Sequence, residues 1–237
     1  MNDAVLDLQG ITKHYNGRMV LDNISARVQP GQVIGLVGLN GAGKTTLLET
    51  TLGYALPDSG SATVLGTSSR DIGASSVAAK VGFVPQQEEL LSAYRGCDYL
   101  ALIAKFYRVW HDETVNRLVT EWSIPIDRRI SRMSLGERQK LAIASALGHH
   151  PELIVLDEPV ASLDPLARRQ FLGEIVAIAA DHDATVLFST HLVTDLERVA
   201  ERIWLLRDGR LIVDEDLDAL KERHPASLED YFLEMHA

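Results

Sequence analysis

The stretch Gly38-Leu39-Asn40-Gly41-Ala42-Gly43-Lys44-Thr45 decides the fold. It fits the spacing G-x-x-x-x-G-K-[ST], and it lies between the apolar run Gln32 to Val37 and a helical segment, Lys44 to Leu52, that stops at Gly53. A loop that curls around phosphate oxygens brings its backbone very close to them, and glycine removes the β-carbons that would collide. The helix that follows turns its N-terminal amides and positive dipole end toward the anion. Lys44 supplies a point charge for the β- and γ-phosphates, and the Thr45 hydroxyl can ligate Mg2+. Strand, glycine loop and helix in this order predict a nucleotide-binding α/β unit.

The second half of such a site comes from another strand end. Leu153-Ile154-Val155-Leu156-Asp157-Glu158 is four apolar residues closed by two carboxylates. Successive strand residues face opposite ways, but where the strand ends the chain turns and both side chains can approach one site. Asp157 is the candidate for the Mg2+ shell, and Glu158 is the candidate general base that polarises the attacking water.

Outward from these stretches, Val5 to Leu8 and Met19 to Val28 alternate apolar and polar residues and read as antiparallel strands joined by an Asn16-Gly17 turn. Ser61 to Leu65, Val81 to Val84, Thr185 to Phe188 and Ile203 to Leu206 are further short strands. From about Glu88 to His150 the character is helical: Asp98 to Tyr107, a second helix begun by Asp112, and a third begun by Ser134. Glu137, three residues after Ser134, completes a capping-box pattern. Arg168 to Ala180 is another helix, and Leu217 to Met235 reads as a helical tail. The expected class is α/β, a P-loop NTPase with a mainly parallel sheet core, an antiparallel β subdomain and an inserted α-helical lobe. One domain is expected over 1–237, with 1–87 and 151–216 as the core, 88–150 as the lobe and 217–237 as the tail.

The 237 residues are 46 % apolar and 24 % charged, an ordinary globular composition. The net charge of −10 and the lack of a long Lys/Arg run argue against nucleic acid as a partner. Arg168-Arg169 and the cluster Arg128, Arg129, Arg132 read as solvated faces. The single cysteine, Cys97, excludes an internal disulfide, fits a reducing compartment and reads as a packing residue. His149, His150 and His182 read as core or surface residues. MNDAVLDLQG shows neither a basic start nor an apolar core, and no apolar stretch reaches the roughly 18 residues of a membrane span. A cytoplasmic chain is expected, with any membrane span supplied by another chain.

With these motifs the chain resembles the ATP-binding cassette (ABC) ATPases over nearly its whole length. Gln86, in Val84-Pro85-Gln86, looks like the family's Q-loop glutamine, which implies a Mg2+ and water contact where core meets lobe. Met133-Ser134-Leu135-Gly136-Glu137-Arg138-Gln139-Lys140 is similar to the family signature, usually Leu-Ser-Gly-Gly-Gln and then a basic stretch. That similarity implies that Ser134 and Gly136 touch the γ-phosphate of ATP held by a second subunit. Ser162-Leu163-Asp164 resembles the D-loop, which crosses the dimer interface. Ser189-Thr190-His191 resembles the switch, with His191 aligning water and Glu158. Tyr15 stands where the family stacks an aromatic on adenine. The implied nucleotide set along the loop is Gly38, Leu39, Asn40, Gly41, Ala42, Gly43, Lys44, Thr45 and Thr46, with Tyr15, Gln86, Ser134, Gly136 and Asp164 from elsewhere. Thr45, Gln86 and Asp157 are the implied Mg2+ contacts. Leu135 replaces a glycine of the signature and Glu137 a glutamine, and the capping box is expected to turn the Glu137 carboxylate toward the Ser134 amide.

The resemblance implies ATP and Mg2+ as cofactors and a homodimer that closes on nucleotide. It also implies a separate integral membrane permease, docked on the segment from Glu88 to about Tyr99. Phe106-Tyr107-x-x-Trp110, the run Glu158 to Pro165, and Ser227-Leu228-Glu229-Asp230 look most like bacterial exporter-type cassettes, associated with drug, antibiotic or peptide efflux. Two other readings are a soluble ABC ATPase that works without transport and a nucleotide-sensing subunit with poor hydrolysis. Glu158 and His191 fill both hydrolytic positions and speak against the second. A P-loop kinase or GTPase leaves Met133 to Lys140 unexplained.

Overall fold

The computed structural model describes residues 4–87, 89–161, 163–182, 184–224 and 228–235. Strands β1 (Leu6–Tyr15) and β2 (Arg18–Val28) form a hairpin. Its turn is Asn16-Gly17, at φ 51° and 79°, the left-handed pair that matches the twist of a two-residue hairpin. Next come β3 (Val33–Val37), α1 (Lys44–Leu52), β4 (Ser59–Val64), β5 (Thr67–Ser68) and β6 (Val81–Val84). Three helices follow, α2 (Gly96–Ala104), α3 (Asp112–Glu121) and α4 (Leu135–Leu147), then β7 (Leu153–Leu156) and α5 (Pro165–His182). The chain continues through β8 (Thr185–Thr190), α6 (Val193–Val199), β9 (Arg202–Arg207) and β10 (Arg210–Asp216) to α7 (Leu217–Arg223) and α8 (Leu228–Glu234).

The strands make two sheets, an antiparallel one in the order β2-β1-β4-β5 and a larger one in the order β10-β9-β3-β8-β7-β6. In the larger sheet every pairing is parallel except β9 with β10. Its inner strands β3, β7, β8 and β9 are covered on both faces, which is why they read as apolar runs. Ile154, Leu156, Val186 and Phe188 face the core shared with α4, α5 and α6. Leu153, Val155, Leu187 and Trp204 face the core shared with α1 and the antiparallel sheet. Each such fully buried aliphatic side chain contributes about 1.5–3 kcal/mol of burial free energy.

Close packing then aims the loops. A β-carbon on Gly35 of β3 would lie 2.2 Å from the Leu196 side chain, so this glycine lets α6 settle onto β3 and fixes the loop between β8 and α6. The lobe is α2, α3 and α4, inserted between β6 and β7. The capping box at its last helix forms as expected: Ser134 Oγ accepts from the Glu137 amide at 3.2 Å, and Glu137 Oε2 accepts from the Ser134 amide at 2.7 Å.

Three differences from the sequence reading have local causes. α5 starts at Pro165 instead of Arg168, because Asp164 Oδ1 accepts from the Leu166 and Ala167 amides and proline suits the first helical position. β10 forms an edge strand after an Asp208-Gly209 turn, both residues at positive φ. α6 is a seven-residue helix held by Leu196 and Val199 rather than by its own periodicity. Glu88, Ser162 and Ser227, named above, lie outside the described residues. Among the described residues no helix is long and apolar enough to cross a membrane.

Candidate functional site

The candidate residues of the core gather at the C-terminal ends of β3, β7 and β8. β3 lies between β8 and β9, and the loop that leaves it opens into the crevice where open α/β sheets hold ligands. Gly38 and Gly43 are fixed by space. A β-carbon on Gly38 would lie 2.4 Å from the Leu206 carbonyl oxygen, and one on Gly43, which sits at φ 107°, 2.9 Å from the Val20 carbonyl oxygen. The loop is thus threaded between β9 and the β1–β2 hairpin. Leu39, Asn40 and Gly41 are exposed, Ala42 is buried, and Thr45 and Thr46 are half-buried at the start of α1.

Lys44 curls back over this loop. Its Nζ donates to the Gly38 carbonyl at 2.8 Å and lies 3.2 Å from Glu158 Oε1. Both side chains are more than nine-tenths buried. Glu158 follows β7 at φ 49°, a left-handed conformation that costs a non-glycine residue about 1–2 kcal/mol. Its second oxygen, Oε2, meets His191 Nδ1 at 2.8 Å. Lys44, Glu158 and His191 therefore form one chain of polar contacts.

Beside it, Thr45 Oγ1 donates to Asp157 Oδ2 at 2.6 Å, and Ser189 Oγ donates to Asp157 Oδ1 at 2.5 Å. The same serine oxygen accepts from the Glu158 amide at 2.8 Å. Sequence reasoning gave Ser189 no role of its own. Its signal lies in the register: Leu156 pairs with Phe188, so the next step along both strands sets Asp157 against Ser189. The hydroxyl and carboxylate oxygens of Thr45 and Asp157 are hard donors of the kind Mg2+ takes, and the glycine cradle leaves room for phosphate.

The other candidates surround this centre at varying distance. Gln86 is exposed two residues past β6, whose Val84 carbonyl accepts from the Asp157 amide. No hydrogen bond joins the Gln86 side chain to Asp157 among the described residues. Tyr15 is half-exposed at the end of β1, with Lys13 Nζ 5.1 Å from its ring centre. Ser134 and Gly136 open α4 in the lobe, and no hydrogen bond links them to Lys44 or Glu158 of the same chain among the described residues. The Glu137 carboxylate is turned toward the Ser134 amide, as expected. The Ser134 amide and then Arg128, whose Nη1 is 3.0 Å from both carboxylate oxygens, hold its pKa below the usual carboxylate value. Asp164 is exposed and caps α5, and the Ala167 and Leu166 amides lower its pKa.

Two further features adjoin the centre. One turn along α1 from Thr45, Glu49 has its pKa raised by burial and then by the Asp157 charge. Glu49 also lines a groove of about 350 Å³ with Tyr54, Phe83, Pro85, Leu90 and Tyr99, at the junction of core and lobe. On the opposite side, Glu229 and Phe232 of α8 close an apolar niche of about 130 Å³ against Gly38, Leu39 and His191. The tail read from sequence only as helical therefore faces the phosphate loop across this niche.

A glycine cradle with a buried lysine, a strand-end Asp-Glu pair and an inserted helical lobe define a P-loop ATPase. The sequence pattern of the ABC transporter family matches residues 21–161, more than half of the chain, and the chain belongs to that family. It is 32 % identical over 213 residues to the uncharacterized ABC transporter ATP-binding protein YdbJ of Bacillus subtilis (strain 168), spanning 89 % of this chain and 69 % of that one. It is 31 % identical over 231 residues to a Nod factor export ATP-binding protein I of Rhizobium sp. (strain N33), spanning 94 % and 75 %. Its fold is similar to a solved ATP-binding subunit of an ABC transporter (TM-score 0.86, 25 % identity, 97 % and 98 % of the two chains). A dimeric, post-hydrolysis ATP-binding cassette bound to ADP and Pi shares the fold at TM-score 0.81 and 23 % identity, over 90 % and 98 %. The chain is an ATP-binding and ATP-hydrolysing subunit of ABC type.

Proposed function

We propose that this subunit works as a homodimer on the cytoplasmic face of a membrane and drives a separate integral permease in export, with no role for nucleic acid. The observation that carries the hydrolytic part is the linked set Lys44, Glu158 and His191, with Glu158 held by one partner on each oxygen.

In this reading ATP enters with its phosphates in the glycine cradle, its adenine on Tyr15, and its β-phosphate against the amides from Gly41 to Thr46. Lys44 moves from Glu158 Oε1 and the Gly38 carbonyl onto the β- and γ-phosphate oxygens. That transfer frees Oε1 to take the proton of an attacking water, while His191 keeps Oε2 in place. The water oxygen bonds to the γ-phosphorus as the bond to the β-γ bridging oxygen breaks, and ADP leaves with the electron pair. Thr45 and Asp157, with Gln86 nearby, would hold Mg2+, which would supply positive charge against the phosphates. Ser189 keeps the Asp157 carboxylate and the Glu158 backbone in register.

Ser134 and Gly136 of one copy complete the γ-phosphate site of the other, and Asp164 crosses the interface. Hydrolysis removes the group that both copies hold, so nucleotide shifts the open–closed balance through that difference in contacts alone. The permease docks in the groove at Tyr54, Phe83 and Leu90, on the segment after Gln86. Support for export comes from the Nod factor relative's name, and support for dimerisation from the dimeric cassette neighbour.

The test is affinity capture of the tagged chain from gently solubilised membranes of its native host, with co-purifying proteins identified by mass spectrometry. A polytopic membrane protein near one-to-one is the expected result. Recovery of soluble partners alone, with the chain absent from the membrane fraction, would sink the transport reading and leave a soluble ABC motor.

A further inference from the structure

Behind the switch loop a second polar cavity, about 160 Å³, opens between α5 and α6. It is lined by Arg168, Arg169, Leu172, Thr194, Asp195 and Arg198. The pair Arg168-Arg169, read from sequence as a solvated face, is divided: Arg169 is exposed, whereas Arg168 is half-buried against Asp195.

Asp195 forms the floor and is 3 % exposed. Its Oδ2 has no hydrogen-bond partner and lies 3.9 Å from Arg168 Nη1, too far for a hydrogen bond. Arg168 Nε is buried and unmatched as well. A buried acceptor and a buried donor left open side by side are costly, and folded proteins close such gaps with water, an ion or a ligand. Three guanidinium groups against one carboxylate leave a net charge of about +2 around the cavity. Arg169 and Arg198 form no salt bridge among the described residues.

We propose that this cavity binds inorganic hydrogen phosphate. The dianion matches the excess charge, and its oxygens accept from the guanidinium groups of Arg168, Arg169 and Arg198. At neutral pH it keeps one O–H, which donates to Asp195 Oδ2. That last contact selects the ligand. A carboxylate, an acidic peptide, sulfate or a phosphomonoester dianion satisfies the arginines but brings no proton to the buried oxygen and sets a lone pair against it. The site joins the start of α5, which Asp164 caps, to α6, which begins two residues after His191. Phosphate there ties the proposed interface segment to the switch.

The experiment titrates inorganic phosphate, sulfate and methyl phosphate into the full chain by calorimetry at pH 7.5 and constant ionic strength. The native chain and Lys44→Ala, Arg198→Gln and Asp195→Asn are compared. Lys44→Ala removes the phosphate loop's own anion affinity. The expected result is phosphate binding retained in Lys44→Ala, with sulfate and methyl phosphate at least tenfold weaker. Arg198→Gln, at an exposed side chain that leaves the fold intact, weakens phosphate tenfold or more. Asp195→Asn, whose amide can donate to an anion, removes the preference over sulfate. The proposal falls if phosphate binding disappears in Lys44→Ala, is unchanged in Arg198→Gln, or equals sulfate binding in the native chain. It falls too if no phosphate binds while an acidic peptide binds in an Arg198-dependent way.

Discussion

Replacing Glu158 with glutamine separates two jobs that the native carboxylate performs. Glu158 Oε1 sits 3.2 Å from Lys44 Nζ, both nearly buried. At an effective dielectric of about 20 that separation corresponds to about 5 kcal/mol of gross attraction, of which a charged hydrogen bond leaves about 1.5–3 kcal/mol net. ATP must draw Lys44 away from this partner. Glutamine weakens the competing contact and leaves the lysine short of negative charge until phosphate arrives. The expected outcome is ATP binding tighter by roughly tenfold, about 1.4 kcal/mol, together with hydrolysis slower by roughly 10²–10⁴ through loss of the base. A fluorescent ATP analogue measures the first and phosphate release the second. Hydrolysis within threefold of native would refute the assignment of the base. Binding that weakens instead of tightening would refute the view that Lys44 is held back by Glu158.

Three further outcomes follow from the geometry. Gly38→Ala forces a β-carbon onto the Leu206 carbonyl, and overpacking of this kind costs about 1–3 kcal/mol; thermal unfolding reads a lower Tm and the ATP titration a weakened site. Glu137→Ala removes half of the capping box, worth on the order of 1 kcal/mol, whereas Glu137→Gln keeps the hydrogen bond; because the folded pKa is lowered, native stability from the carboxylate is complete above the ordinary value of 4.5 and is lost as pH falls through the folded value, so the native and Gln melting curves converge on acidification. His149 is buried and stacked 4.0 Å from Tyr107, and burial lowers its pKa to about 4; the unfolded chain takes up the proton first, so this site costs the fold stability as pH falls from 6.5 toward 4, up to about 3 kcal/mol. His149→Phe keeps a stacked ring and is expected to lose less stability than native between pH 7 and pH 5, measured by denaturant unfolding; equal losses would mean that His149 titrates normally.

The phosphate loop, the Asp157-Glu158 strand end and the capping box were legible because each depends on neighbours in sequence. Helix caps and glycine loops are written within five or six residues, and buried parallel strands announce themselves as apolar runs. Ser189 was not legible, because its role exists only once β7 and β8 are paired in register. β10 carried a usable sign, the Asp208-Gly209 turn, but its half-buried pattern is weak beside the fully buried strands. α6 has too few residues for a period. The groove at Glu49, the arginine cavity and the niche under α8 each join segments far apart in the chain, and no local pattern encodes them.

The niche that α8 closes beside the phosphate loop has a thermal consequence. A seven-residue helix has little stability of its own, and α8 depends on Leu228 and Phe232 in the core and on the bond from Arg207 to the Met235 carbonyl. On warming, such an element opens before the sheet does. Its loss opens the niche beside Gly38 and Leu39 and takes away the support of α6, which follows the loop that carries His191. The catalytic rate should then begin to fall several degrees below the calorimetric transition, while the bulk of the secondary structure is still intact.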